Sequence, residues 1–561
     1  MTPTPEQRRS ALLARRPTWT PGTLDGLLDE CAAGYGERAF VVTDDRVLTY
    51  GDVADLSRRL GDGLASLGVR PGDRVGLLMA NHVEFAPLKF AIARAGGIAV
   101  PFNFLYRAEE LAYVLGQSRV SVLISMTGFG DLDYPAMFDA VAPGWERGPT
   151  AELPELRHVV QLPTEGIAAR AGAGTVEDLL SLGDAHPGGA TPAAPDDLAD
   201  ILYTSGTTGS PKGVTVTHDA IRRTGFASAL TRAFEDGRRI LFSLPCYHMF
   251  GYVEGLVAAM YVGGAIVPRL RFSAADYFAG IARHGVSEIL CVPTMTVALL
   301  EHPDRHTRDL SSVFAILSGS APGPAWLWDR VRDELGITEI TTGYGMTETG
   351  GCMTHTLPED PIERHVMTVG RPKLSGPAGL ADGHLCEYRT ADPLTGEQLP
   401  AGAEGELISR GPTHMPGFWE KPAETAAARR GEWVYSGDLG RVLPDGYLQI
   451  TGRSKELYKS GGELVMPKEI EELVTPLPGV SQAYAVGVPD DRWGDAGCLW
   501  IVPEPGAEPD PAAILAACRE KLARFKVPKH VLVIDGSELP LTPTGKVQKF
   551  KLSALAVQRL G

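Results

Sequence analysis

Cysteine is scarce in this chain of 561 residues: Cys31, Cys246, Cys291, Cys352, Cys386, Cys498 and Cys518 are scattered, odd in number and free of any C-x-x-C pair. That excludes a disulfide framework and a locally encoded zinc site, and reads as reduced structural thiols in a cytoplasmic protein. Long uninterrupted apolar runs are also missing, so no membrane span is expected. The stretch from Met1 to Trp19 lacks the apolar core of a signal peptide, and its Arg8, Arg9, Arg15 and Arg16 read as a solvated helix end. Positive charge is in deficit: 53 Lys and Arg against 69 Asp and Glu give a net charge of −16. A general nucleic-acid or anionic-membrane binder is thereby disfavoured, although a local basic patch for a phosphorylated cofactor stays possible.

Glycine and hydroxyl residues are concentrated in one stretch, Tyr203 to Val214 (Tyr-Thr-Ser-Gly-Thr-Thr-Gly-Ser-Pro-Lys-Gly-Val). Gly206, Gly209 and Gly213 let the backbone bend where a Cβ would clash, and Thr204, Ser205, Thr207, Thr208 and Lys212 supply donors suited to anionic oxygens. The apolar run Leu198–Leu202 predicts a strand before this loop. Pro211 precedes Lys212 and Gly213 follows it, which is not the Walker A spacing and argues against a P-loop NTPase. Taken alone, the stretch is either a phosphate cradle or a flexible connection.

The length allows two or more domains. From Thr23 to Leu115 helical and strand patterns alternate, which predicts a layered α/β architecture with mostly parallel sheets. Residues 183–197 form a Pro/Gly/Ala-rich connector. Past the glycine loop, strand patterns end in loops at Cys246-Tyr247-His248, at Val292, at Gly319-Ser320-Ala321-Pro322 and at Thr341 to Gly351. In an open α/β sheet such strand ends hold ligands. His248 could be a lid, a base or a packed ring. Tyr344, Thr347 and Glu348 suit stacking on a base, bonding a phosphate oxygen and holding Mg²⁺, or belong to a plain glycine-rich turn. Asp438 and Arg453 could bind ribose hydroxyls, or be a turn Asp and a surface Arg. From Arg453 onward short α/β units form a small domain, giving predicted domains of 1–452 and 453–561.

Five motifs occur in one order: the Thr/Ser/Gly/Lys loop, Tyr344-Gly-Met-Thr-Glu, Tyr435-Ser-Gly-Asp, Gly452-Arg-Ser-Lys-Glu and Pro543-Thr-Gly-Lys. In them the chain resembles the adenylate-forming superfamily, in its acyl- and aryl-CoA ligase branch. The resemblance implies an ATP-dependent acid–thiol ligase working in two steps: a carboxylate and ATP give an acyl-adenylate and pyrophosphate, then CoA gives acyl-CoA and AMP. It also implies that Thr204 to Lys212 hold the β- and γ-phosphates and that Gly319, Ser320, Ala321, Pro322, Gly345 and Met346 lie at the nucleotide. Tyr344 would stack on adenine, Thr347 contact the α-phosphate, Glu348 hold Mg²⁺, and Asp438 and Arg453 bind the ribose. Lys546 would bridge carboxylate and α-phosphate during adenylation. The small domain resembles a mobile lid pivoting at Lys455. It would bring Ser460, Gly461, Gly462 and Glu463 to a thiol tunnel gated by His248.

The resemblance places the acyl pocket at Tyr247, His248, Val292, Gly319, Gly343, Met346, Gly350 and Gly351. The glycines are expected to leave volume, and no fixed cation stands among these residues. A bulky, mostly apolar acid (aryl, alicyclic or medium-chain) is therefore predicted. Residues 373–387 depart from the usual strand after Gly-Arg-Pro. Two rivals remain: loading of a holo-carrier protein, which would act in trans because no carrier domain follows Gly561, and competence in only one half-reaction. Monomer and homodimer are both left open.

Overall fold

In a computed structural model of the protein, the described residues are 3–204, 211–319, 325–393, 395–453, 456–460, 463–490, 493–522, 524–542 and 546–560. They group into two compact units, Met1–Glu387 with Ser409–Val434, and Tyr388–Ile408 with Tyr435–Gly561.

The first unit is built on two seven-stranded sheets. In one, the strands Arg239–Phe242, Ala265–Pro268, Glu288–Cys291, Ala315–Ser318 and Glu339–Thr341 run parallel. In the other, Arg74–Leu78, Ile98–Pro101, Val122–Met126, His158–Leu162 and Leu198–Thr204 do so. Central strands such as Ile98–Pro101, Val122–Met126 and Ala315–Ser318 are buried at every position. That is why they read as continuous apolar runs: helices cover both faces of a parallel sheet. The antiparallel strand Lys212–Thr217 closes one edge, pairing with Leu198–Thr204.

Helix caps follow the local chemistry. Thr4 caps the helix Pro5–Arg15 in a capping box with Gln7, and Thr217 caps His218–Thr231 by accepting from Ala220 N–H. One expectation is corrected here. Arg8 is not solvated: it is 5% exposed and ion-paired to Glu339, because that strand end brings a carboxylate under the helix. The seven cysteines are free thiols, all buried except the half-buried Cys352. Among the described residues no helix is long and apolar enough to cross a membrane.

In the second unit, antiparallel pairing dominates. The strands Val480–Asp490 and Gly494–Pro503 form a long hairpin, with His530–Val533 added in parallel. Ile470, Val474, Ala485, Leu499, Ile501 and Cys518 form one small core, and Trp500, Val486, Leu552 and Ala556 form another on the opposite face. The alternation of a two-faced sheet is thus filled on each side by a helix, Pro467–Val474 and Lys549–Leu560 respectively.

Candidate active site

Four parallel strands of the first unit end at one edge. After Phe242 the chain turns through Tyr247 and His248; after Cys291 comes Val292; after Ser318, Gly319; after Thr341, Gly343. Pairing of Cys291 with Ser318 and of Leu317 with Thr341 keeps these ends level, and Gly319 N–H donates to Cys291 O at 3.2 Å. Parallel register alone therefore collects residues from four sequence-distant loops.

At His248 the ring is half-buried. Its Nδ1 accepts from Phe250 N–H at 3.2 Å, which leaves the proton on Nε2 and opens the helical segment Phe250–Val257, of π type. Tyr247 turns away toward the second sheet, packing edge-on against Phe104 at 5.4 Å with its buried hydroxyl unpartnered. Gly319 leaves room: a Cβ there would stand 3.5 Å from the Phe250 ring. Gly351 likewise would meet Met249 at 3.5 Å and Thr224 at 3.8 Å. Gly343 and Gly350 do not leave volume, contrary to the expectation from sequence. A Cβ on Gly343 would fall 2.4 Å from His355 and 2.7 Å from Cys352 Sγ, and one on Gly350 would fall 2.6 Å from Thr413 O.

The strand Gly343–Met346 carries the half-buried Tyr344, whose N–H donates to Thr354 Oγ1 at 3.2 Å. Gly345 is packed against the Gly351 carbonyl, so backbone runs against backbone there. Thr347 and Glu348 follow in a one-turn 3-10 segment, held because Gly350 N–H donates to Thr347 O and Met415 N–H to Glu348 O. Met346 O accepts from Thr349 Oγ1 at 2.9 Å. The expected strand before the glycine loop is present, and Thr204 stands directly opposite Lys212 across the hairpin. Lys212 Nζ lies 5.1 Å from the Phe418 ring centroid. Ser205, Gly206, Thr207, Thr208 and Gly209 lie outside the described residues, as do Ser320, Ala321 and Pro322.

In the second unit, Asp438 and Arg453 face each other as cross-strand partners. Gly437, at a φ of 74°, sets up this position: its N–H donates to Glu406 Oε1 at 2.8 Å while Asp438 N–H donates to Ser436 Oγ. Ser460 and Glu463 are cross-strand partners. Lys455, Gly461 and Gly462 lie outside the described residues. Lys546 closes a loop in which its N–H donates to Thr542 Oγ1 at 3.0 Å and its carbonyl accepts from Thr542 N–H at 2.7 Å. Three residues on, Lys549 Nζ lies 2.7 Å from both Glu456 and Glu471, anchoring the helix that follows the loop.

Sequence reasoning missed a buried polar group next to the strand-end site. Lys373 Nζ donates to Glu254 Oε1 and to Ser228 Oγ, each at 2.6 Å. Arg232 approaches Glu254 at 3.6 Å and continues through Glu288 to Arg238. His355 Nε2 stands 3.5 Å from Glu254 Oε2, and burial, with Lys373 and Arg232 nearby, holds the imidazole neutral. The signal was present: a lone Glu254 in the apolar run Gly251 to Met260 demands a buried partner. The departure at Lys373 supplies it.

The chain's sequence matches the model of the AMP-binding enzyme over residues 28–419 and that of its C-terminal domain over 469–546. It is 34% identical to a methyl-dioxo-octahydroindenyl propanoyl:CoA ligase of Mycobacterium tuberculosis, covering 95% of this chain and 99% of that one. It is 30% identical to the mitochondrial medium-chain acyl-CoA ligase of Danio rerio, covering 96% and 89%. The structure superposes on the anthranilate CoA ligase AuaEII in complex with anthranoyl-AMP with a TM-score of 0.81 at 27% identity, over 96% of this chain and 98% of that one. With both domain models matched and relatives aligned over nearly the whole length, the chain belongs to the AMP-binding enzyme family, in the acyl-CoA ligase branch of the adenylate-forming enzymes.

Proposed function

We propose that the protein activates a bulky, mostly apolar carboxylic acid in two steps. A carboxylate oxygen attacks the α-phosphorus of ATP, the bond to the β-phosphate oxygen breaks, and pyrophosphate leaves. The thiolate of CoA then attacks the acyl carbon and AMP leaves. One observation carries this reading: the loops bearing His248, Val292, Gly319 and the Tyr344 strand converge on one sheet edge. A carboxylate and a nucleotide can therefore be held side by side. Such a reaction needs positioning and charge neutralisation more than a protein nucleophile.

Tyr344 would stack on adenine, Thr347 meet the α-phosphate, Thr204 to Lys212 grip the departing pyrophosphate, and Asp438 with Arg453 hold the ribose. Gly319, Gly345 and Met346 would border the nucleotide. Lys546 would neutralise the developing charge between carboxylate and α-phosphate. Glu348 fits Mg²⁺, because a half-exposed carboxylate supplemented by phosphate oxygens and water is the hard donor set this ion takes; bound there, it would neutralise phosphate charge. Both Lys546 and the Ser460–Glu463 segment belong to the second unit. Their alternate use, with Lys455 as pivot and His248 at the thiol entry, would let one unit serve both steps.

The open contacts at Gly319 and Gly351 support an aryl, alicyclic or medium-chain acid, the kind of substrate named for the relatives. Acid-dependent ATP–pyrophosphate exchange across such a panel tests the first step, and mass spectrometry of products with CoA and with a holo-carrier tests the second. Exchange with several of these acids and a CoA thioester are expected. Transfer only to the carrier would reassign the acceptor, and exchange with none would contradict the reading.

A further inference from the structure

Three elements run from the open glycine contacts into the buried polar group. On the helix His218–Thr231, Thr224 lies by Gly351, and Ser228, four residues on, accepts from Lys373. On Phe250–Val257, Phe250 lies by Gly319, and Glu254 comes four residues later. On the strand Gly351–His355, the first residue meets Met249 and the last reaches Glu254. Four residues are about one turn, roughly 6 Å, of α-helix and about 13 Å of strand. The polar group thus lies beyond the strand-end site along all three elements.

That group is incomplete. Glu254 and His355 are both fully buried, yet Glu254 Oε2 and both ring nitrogens of His355 have no hydrogen-bond partner. Buried polar atoms are almost always hydrogen-bonded, whereas Glu254 Oε2 has only His355 Nε2 at 3.5 Å and Arg232 at 3.6 Å, so these two facing side chains have bonding capacity to spare. Cys352 Sγ lies within 4.8 Å of the ligating atoms of both and keeps partial exposure. A metal ion is disfavoured, because Lys373 and Arg232 already bring two positive charges to Glu254. A neutral imidazole offers one donor and one acceptor, and Glu254 Oε2 adds a second acceptor. Acceptors exceed donors whichever tautomer is present. A carbonyl would add a third acceptor, whereas a hydroxyl both donates and accepts.

We infer that His355 and Glu254 receive a hydroxyl carried on the far end of the acid substrate, making this chain selective for hydroxylated over unsubstituted aryl, alicyclic or medium-chain acids. The inference rests on the ligase reading above. It is tested by kcat/KM for pyrophosphate exchange with matched pairs: a ring-hydroxylated arylpropanoate against its parent, a terminally hydroxylated medium-chain acid against its parent, and the corresponding oxo-acids. The hydroxylated member is expected to lead its parent by at least about tenfold in one or more pairs, with the oxo-acid behind it, since a site built to bond a hydroxyl leaves its own groups unpaired with the bare analogue. In His355→Leu the ratio should fall towards one, and in His355→Gln, which keeps a donor and an acceptor, it should recover. Equal rates within every pair for the unmodified protein would overturn the inference while leaving the ligase reading intact, even if neither variant folds. An undiminished ratio in His355→Leu would overturn the assignment to this residue. Absence of exchange with every acid, parents included, would contradict the ligase reading and this inference with it.

Discussion

Lys373 Nζ stands 2.6 Å from Glu254 Oε1 with both side chains fully buried. Removing Lys373 leaves the buried Glu254 carboxylate with Arg232 at 3.6 Å as its remaining cation, and breaking such a buried pair typically costs about 3–5 kcal/mol. Lys373→Met is expected to lower the unfolding free energy by that order. Lys373→Met combined with Glu254→Gln should recover part of it, because the stranded carboxylate is gone. Denaturant unfolding of the three variants checks this; a double variant less stable than the single one by the full cost of a second charge would refute the pairing as the cause.

Gly319 is where pocket size should respond to a side chain. Its Cβ direction is open to 3.5 Å, toward Phe250. Gly319→Val is expected to reduce kcat/KM for bulky aryl and alicyclic acids by tenfold or more, while short acids lose less, as a methylene-scale change in a binding pocket is worth about 1–3 kcal/mol. Kinetics across a size series reads this out. A uniform loss at all sizes would place Gly319 outside the acyl path.

Gly350 has a φ of 96°, and an added Cβ would fall 2.6 Å from the Thr413 carbonyl. Both the left-handed backbone and the contact oppose a side chain. The turn it closes holds Thr347 and Glu348, so Gly350→Ala is expected to cut pyrophosphate exchange by at least about tenfold and to lower stability. Wild-type exchange in a folded Gly350→Ala would show that this turn does not position the two residues.

Two buried histidines contribute to the response to acid. Burial holds His218 and His414 at about 3, with Lys89 and Arg222 adding to the effect at the first and Arg429 at the second. His218 Nδ1 accepts from Leu24 N–H, and His414 Nε2 lies 2.8 Å from Ser409 Oγ. Because the folded pKa lies below the unfolded value of roughly 6.5, the unfolded chain binds more protons in between. Stability from these groups is complete above that value and falls as the pH drops from 6.5 toward 3, by up to about 1.4 kcal/mol per pH unit for each. His414→Gln should make the urea midpoint less steep with pH in this window; an unchanged slope would contradict the assignment.

The sheet strands, the one before the glycine loop included, were legible because buried parallel strands print continuous apolar runs and turns print Gly and Pro, whereas the return strand Lys212–Thr217 was not read. Asp438 and Arg453 were legible as candidates from their motifs, but not as cross-strand partners: Asp438 sits inside the strand Trp433–Val442 and Arg453 ends the strand Leu448–Arg453. What stands opposite a missing Cβ is not written locally, so Gly343 and Gly350 read as vacancies although His355, Cys352 and Thr413 fill them. Arg8 read as solvated for the same reason: its partner Glu339 is far along the chain. The lone Glu254 signalled a buried partner, but the identity of Lys373 and His355 could not be read because the group is assembled from three distant segments. Val480–Asp490 and Gly494–Pro503, read as part of short α/β units, form one antiparallel hairpin whose turn lacks the Asn-Gly signal.

Only a reaction with two half-reactions can be split by a single substitution, which makes Lys546→Ala the most direct test. Acid-dependent pyrophosphate exchange and thioester formation from a synthetic acyl-adenylate are measured side by side on the same folded variant. Exchange is expected to fall by about 10²-fold or more, the scale of losing one transition-state charge stabiliser, while thioester formation from the adenylate stays within a few fold of the unmodified protein. Equal losses in both assays, or none in the first, would contradict the role given to Lys546 and the two-step reaction built on it.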